Sequence, residues 1–398
     1  MTERSRRTRL RRTIALSTVG VLVLGVAAVG TLALAAGWFD KPERQAGHAL
    51  ASATPAAPVV AVRDAELIDR RTGDTLALLG ANWPGFEYAC IQGRGHNDGG
   101  DVDAAVAAMT EWGMTAVRIP LNQDCWFDDR PAIAYASGVE YRASVREWVG
   151  RLTQAGLVVV LDLHWSAPDG MPADGLRPMP DARSVEFWGS VASEYRKHRG
   201  VIFDVFNEPH SRFDATAGAW AFELDWRCWA HGGCAVPVEN DRAQTRSGET
   251  YTAVGMIALV DAVRSAGATQ PLVLSGVDYA NDLRGWAAAA PDDDQLIASV
   301  HLYPDQRCAD RACWARELEP LADRVPVLVA EFGQSDGGDA FLRDAYAWAE
   351  DHAVGALAWA WWDITDETSP DARFALVDGP DFAPRAPSGT ALRELLGG

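Results

Sequence analysis

The chain has 398 residues, 48% of them hydrophobic, and a formal net charge of −19. That is enough for one large core of barrel size, and the acidic balance argues against nucleic acid or an anionic lipid surface as partner while leaving a neutral one open. Core filling accounts for about half of the sixteen tryptophans.

The N-terminus departs from the rest. Its first 40 residues hold six arginines against Glu3 and Asp40, and Ile14 to Phe39 carries no charge. A basic flank before an apolar run is the pattern of export. The run is longer than an ordinary signal core and long enough to span a bilayer. Residues 1–39 are therefore expected to be a cleaved signal peptide or an uncleaved signal-anchor helix, with residues 14–39 as a possible membrane anchor. Either way the arginines stay inside and the remaining chain is exported, secreted or held at the cell membrane. Residues 40–58 are Ala/Pro-rich and polar and read as a linker. Residues 59–398 are left for a single domain.

That domain alternates two patterns. Short apolar, β-branched runs lie at 75–83, 115–121, 156–165, 201–208, 271–276, 296–303, 325–333 and 355–362. Amphipathic segments stand between them, among them "DVDAAVAAMTEWG", "YRASVREWVGRLTQAG", "SVEFWGSVASEYRKH", "VGMIALVDAVRSAG" and "DAFLRDAYAWAED". Buried runs alternating with helices imply parallel βαβ units, and eight of them predict an α/β fold, a (β/α)8 TIM barrel. The longest connection, roughly 209–248, is rich in Trp, Gly and Cys, and connections of that length usually have a functional role.

In such a barrel the C-terminal strand ends carry the site. Chemistry-bearing residues stand there: Arg118 in the second run, His164 at the third, Asn207 and Glu208 after the fourth, His301 and Tyr303 at the sixth, Glu331 at the seventh and Trp359, Trp361 and Trp362 at the eighth. Each alone has an ordinary structural reading, such as a core histidine or a solvated strand end. Together they place two carboxylic acids on opposite sides of one mouth. Facing carboxylates suit glycosidic bond cleavage, one protonated to assist the leaving oxygen and one ionised. Arg118 beside one glutamate would keep it ionised, and aromatic surroundings would raise the other.

"FDVFNEPH" with "VLVAEFG" resembles the catalytic pair of glycoside hydrolase family 5, the cellulase family of retaining (β/α)8 glycosidases. The likeness extends to "AVRIPLNQDCW", "LDLHWS", "HLY" and "WAWW", in order, across residues 75–365. It implies Glu208 as acid/base and Glu331 as nucleophile. It further implies Asn207 at the 2-hydroxyl, Arg118 and Tyr303 holding Glu331, His164 and His301 lining the cleavage subsite, and Trp361 as the floor beneath the sugar, with Trp359 and Trp362 as competitors. "EYACIQGRGHNDGGD" and "DWRCWAHGGC" are not general features of that family and resemble an exported, cysteine-containing branch. The implied activity is endo-type hydrolysis of a neutral β-linked glucan. A β-mannanase, an exo-acting or transglycosylating β-glycosidase, and a non-catalytic carbohydrate-binding barrel are the alternatives. Trp126, Trp165, Trp226, Trp229 and Trp286 are further candidates for sugar platforms.

The six cysteines, Cys90, Cys125, Cys228, Cys234, Cys308 and Cys313, are even in number and lie in the part expected to be exported, which favours disulfides. Short spacing favours Cys228–Cys234 and Cys308–Cys313, leaving Cys90–Cys125. Zinc spacing is missing, and "GRGHNDGGDVD" does not match a calcium loop; Asp101 and Asp103 fit a helix N-terminus better. There is no phosphate or dinucleotide fingerprint. Neither a cofactor nor a metal is expected, and the chain is expected to act as a monomer.

Overall fold

The computed structural model describes residues 57–128, 133, 136–243, 247–364 and 370–397. The expected signal or anchor segment and most of the expected linker lie outside them. No helix among the described residues is long and apolar enough to cross a membrane.

Eight parallel strands close into a barrel. They are β1 Leu79–Asn82, β2 Ala116–Asn122, β3 Val158–Trp165, β4 Val201–Asp204, β5 Leu272–Ser275, β6 Leu296–Leu302, β7 Val327–Phe332 and β8 Gly355–Ala358. Every expected strand is present, though β4 stops before Asn207 and β8 before the tryptophans. Closure comes where β8 pairs with β1 and β1 with β2. At Gly80 a Cβ would lie 2.0 Å from the Ala116 carbonyl oxygen, so only glycine permits that approach.

Each strand is followed by helix: α1 Val102–Glu111, α2 Val139–Gln154, α3 Ala182–Tyr195, α4 Met256–Ser265, α5 Trp286–Ala289, α6 Arg311–Glu317, α7 Ala340–Asp351 and α8 Ser388–Leu396. Local chemistry sets their starts. The Asp101 carboxylate accepts from the Asp103 and Ala104 amides at the head of α1, the role of an N-cap residue. Asp181 caps α3 in a box with Ser184.

The core has two main parts. The larger lies between the barrel wall and the helices. The smaller fills the lower barrel with Leu78, Ala116, Val158, Val160, Ile202, Val273, Ile297, Leu328 and Leu357. A hairpin, Val60–Arg63 with Glu66–Asp69, adds Val60 and Leu67 to this layer and plugs the lower end. The Gln295 side chain accepts from the Val62 amide and fixes the plug to the rim.

Three disulfides form, Cys90–Cys125, Cys228–Cys234 and Cys308–Cys313, in the pairing that short spacing favours. All lie in connections that follow strands, on the C-terminal side of the barrel.

Candidate active site

Strand β7 carries Glu331 directly into the mouth. Glu208 takes a longer route. After Asp204 the chain leaves the β4 ladder, but Val205 N–H still donates to Val273 O on the β5 side at 3.0 Å, and Asn207 N–H to Leu163 O on the β3 side at 3.2 Å. The Trp188 indole donates to Val205 O at 2.7 Å. Irregular chain is thus held as firmly as a strand, and Glu208 stands opposite Glu331.

Arg118 is the hub. Fully buried, it donates from Nε to Asp204 at 2.9 Å, from Nη1 to Asn82 at 2.9 Å and to Glu331 Oε1 at 2.7 Å, and from Nη2 to Asn207 Oδ1 at 2.7 Å. Its Nη2 also lies 3.0 Å from Asp162. Three buried carboxylates face one guanidinium. Burial opposes the Arg118 charge, but Asp162, Asp204 and Glu331 outweigh it and strengthen the cation. Burial also pushes Asp162 up to about 7, and Asp204 well above the usual carboxylate range, despite Arg118. Asp204, unexplained from sequence, is therefore an orienting partner of Arg118.

The remaining groups follow from this hub. The Tyr303 hydroxyl donates to Glu331 Oε2 at 2.9 Å, so both oxygens of that carboxylate are held. Because Asn207 Oδ1 is occupied by Arg118, its amide NH2 must turn away, and that buried nitrogen has no hydrogen-bond partner among the described residues. Asn207 lines the cleft. His301 Nδ1 lies 2.8 Å from Glu208 and 3.5 Å from Glu331. His164 Nδ1 lies 2.7 Å from Asp162, which orients its ring. Burial lowers both histidines to about 3, so they are neutral at physiological pH. Burial raises Glu208 to about 8, with Arg118 pulling the other way. Glu208 keeps its proton at neutral pH, somewhat beyond the range of about 6–7 expected of a general acid.

Glu208, His301 and Glu331 each offer an atom within 4.8 Å of the others, as do Cys308, Cys313 and Glu317. Both cysteines of the second group are spent in a disulfide. A cation in the first would occupy both carboxylates and block acid and nucleophile together.

An open cleft of about 1130 Å³ surrounds the pair, lined by His164, Asn207, Glu208, Tyr303, Glu331 and Trp359 among others. The floor differs from expectation. Trp361 borders the cleft but is fully buried, edge-on to Trp112 at 4.7 Å and stacked against Phe382 at 5.8 Å, so it exposes no ring face to a sugar. Trp359 is partly exposed and lies flat against His164 at 5.4 Å, with Trp362 5.7 Å away. The cause is the early end of β8 at Ala358, beyond which strand alternation no longer assigns faces. Of the other tryptophans, Trp126, Trp229 and Trp286 are core residues whose indoles bond Ser190, Ser275 O and Leu274 O. Trp226 packs on Trp229. Trp165 lines the cleft beneath the Arg242 guanidinium, 4.8 Å from its ring.

Some cleft residues were not anticipated. Glu87 is buried and raised to about 8 by desolvation, and it accepts from the Gly85 amide. Tyr88 donates to Asp98 at 2.7 Å. Tyr279 and Asp241 line the same cleft. The signal for the hub was a charge inside an apolar run, as in "VVVLDLHW" and "VIFDVF"; the loop residues had none.

A family model for cellulase (glycosyl hydrolase family 5) matches residues 74–368. The beta-mannanase/endoglucanase A of Caldicellulosiruptor saccharolyticus is 22% identical over 298 residues, which is 72% of this chain and 18% of that protein. Endoglucanase A of Ruminococcus albus is 23% identical over 309 residues, 69% of this chain and 76% of that one. Among solved structures, a β-glucanase from Saccharophagus degradans in complex with cellotetraose superposes with a TM-score of 0.62 at 16% identity, covering 86% of this chain and 94% of that chain. The catalytic domain of the major endoglucanase from Xanthomonas campestris pv. campestris gives 0.61 at 18% identity, covering 85% of this chain and 100% of that chain. At these identities the structural likeness is one of fold. The family match, spanning most of the barrel and both glutamates, places the chain itself: it belongs to the cellulase family, glycosyl hydrolase family 5.

Proposed function

We propose that this chain is a retaining, endo-acting hydrolase of β-linked glucan, with Glu331 as nucleophile and Glu208 as acid/base. The observation that carries the reading is the approach of the two carboxyl groups, an oxygen of one within 4.8 Å of an oxygen of the other. Retaining glycosidases hold their pair about 5–5.5 Å apart, whereas inverting ones leave about 6.5–9.5 Å for a water. The cleft exceeds the ~300–1000 Å³ of ordinary small-molecule sites, as several sugar units require.

The first step breaks the glycosidic C–O bond. Glu208 gives its proton to the leaving oxygen as a Glu331 oxygen bonds the anomeric carbon. Arg118 and Tyr303 hold Glu331 as an oriented anion until that bond forms. In the second step Glu208, now a carboxylate, takes a proton from water, whose oxygen attacks the same carbon and releases Glu331. The Asn207 amide is free to donate to a sugar hydroxyl, and Trp359 supplies the flat apolar face that Trp361 cannot. Three disulfides support an exported location, because such bonds persist in oxidising compartments.

The test is a screen of residues 57–398 on carboxymethyl-cellulose, barley glucan, mannan, xylan and laminarin, with proton NMR of the first-formed product. A β-anomer from a β-glucan, with rapid loss of polymer viscosity, is the expected result. An α-anomer would reject retention, and preference for mannan would reassign the substrate.

A further inference from the structure

Among the described residues, the large hydrophobic side chains that remain exposed are Val139, Phe213 and Trp220. Two of these three are aromatic and share one hairpin, Arg212–Asp214 with Ala219–Phe222, in the long connection that follows Glu208. They are cross-strand partners with rings 5.3 Å apart, and are 49% and 55% exposed.

The hairpin is built to show them. A bulge places Ala221 as an extra residue between the Arg212–Phe222 and Phe213–Trp220 pairs. Without it Trp220 would share the inward face of Phe222; with it Phe222 is buried and Trp220 points out. The Asp214 carboxylate accepts from the Thr216 and Ala217 amides and stiffens the tip. At the root, Arg212 donates to the carbonyls of Asp241 and Ala243, and Asp241 lines the cleft. His210, between Glu208 and the hairpin, stacks at 4.1 Å on Tyr279 of the cleft wall. Phe213 follows Glu208 by five residues, so its Cα is within about 18 Å of that carboxyl-bearing residue. The exposed pair thus lies within a few sugar lengths of Glu208, and its hairpin is tied to the cleft wall through Arg212 and His210.

We propose that Phe213 and Trp220 form an accessory binding platform for the same β-glucan chain, a few sugar units past the point of cleavage. This rests on the glucanase reading above. Flat rings beside Asp214, Glu223 and Asp225, on a chain of net charge −19, suit the apolar face of a neutral sugar. They do not suit a second copy of this acidic chain or an anionic lipid surface.

The experiment compares the wild type with Phe213→Ala/Trp220→Ala, with Trp220→Tyr to restore a ring, and with Val139→Ser as a control elsewhere on the surface. Barley glucan and 4-nitrophenyl β-cellobioside are the substrates. Retardation in gels containing barley glucan and size-exclusion elution are measured alongside. The expected result is KM on barley glucan raised about three- to tenfold and gel retardation lost. Turnover of the short substrate should stay within about twofold, and Trp220→Tyr should keep most of the retention. Equal loss on both substrates, or no loss on either, overturns the platform while leaving the glucanase reading standing. A dimer abolished by the double variant assigns the rings to a second copy and also overturns it. A wild type inert on every β-glucan sinks the glucanase reading, and the platform with it.

Discussion

The two ends of the barrel are built on the same strands and have opposite chemistry. Along β3 the alternate residues Val158 and Val160 belong to the lower apolar layer, and Asp162 and His164, the next two of that parity, belong to the charged mouth. On β4, Ile202 is followed by Asp204, and on β2 Ala116 by Arg118. One column of inward positions changes from hydrocarbon to ions within two residues. The lower layer needs only volume and apolarity, so substitutions there cost stability. The upper layer buries ions whose desolvation is only partly repaid, so it is kept for the chemistry, and substitutions there should cost rate.

Five experiments break or sharpen that contrast, beginning with the largest expected effect. Glu331→Ala should lower turnover by about 10⁴-fold or more, with folded circular dichroism retained. Azide should restore part of the rate on an aryl β-glycoside and give product of inverted configuration; substantial activity without azide would remove Glu331 from the nucleophile's role. Glu208→Gln should cost about 10²–10⁴-fold on substrates with poor leaving groups and far less on activated ones; equal losses on both would count against the acid. The same residue sets a pH limit. Its carboxyl is raised from an ordinary 4.5 to about 8, so kcat/KM on an unactivated glucan should fall above about pH 8. The folded state favours the protonated form, so its share of stability is complete below pH 4.5 and disappears as pH rises through about 8. An activity profile still rising at pH 9.5 would reject this assignment.

At the opposite end, Ile297→Ala should cost about 2–5 kcal/mol in denaturant unfolding and leave kcat nearly unchanged at low temperature. A large loss of kcat in a folded variant would mean that the lower layer also shapes the site. Reduction of the disulfides comes last, at about 2–4 kcal/mol for each closed loop. Cys90–Cys125, with a sequence separation of 35, should contribute most. Since all three bridges lie on the mouth side, activity should be lost at lower reductant or temperature than barrel secondary structure. Simultaneous loss would show that the rim and wall unfold as one unit.

The parts open to sequence reading were those governed by short-range pattern. Apolar runs of six to ten residues located all eight strands, and helix caps such as Asp101 declared themselves by residue type. The two facing glutamates, the proposed catalytic pair, were readable because a carboxylate at the end of an apolar run conflicts with burial. Asp162 and Asp204 carried the same conflict in plain view, but their partner Arg118 lies one and two strands earlier in the sequence. Trp361 was misplaced for a different reason. Three tryptophans in four residues give no parity to follow once the chain leaves the ladder at Ala358, and their faces are set by Phe382 and Trp112 from distant segments. Glu87, Tyr279 and the bulged Phe213–Trp220 hairpin depend on loop geometry, which periodicity does not describe.

Arg118 has one further consequence. Its guanidinium is shared by Asn82, Asp162, Asp204, Asn207 and Glu331, which enter from β1, β3, the exit of β4 and β7. Lysine offers a single point charge in place of this planar fork. Each of the five partners is therefore tuned to a neighbour it does not touch, and replacements at these sites will be strongly non-additive. Changes around this mouth therefore have to be made jointly, whereas the loops above it do not share that constraint.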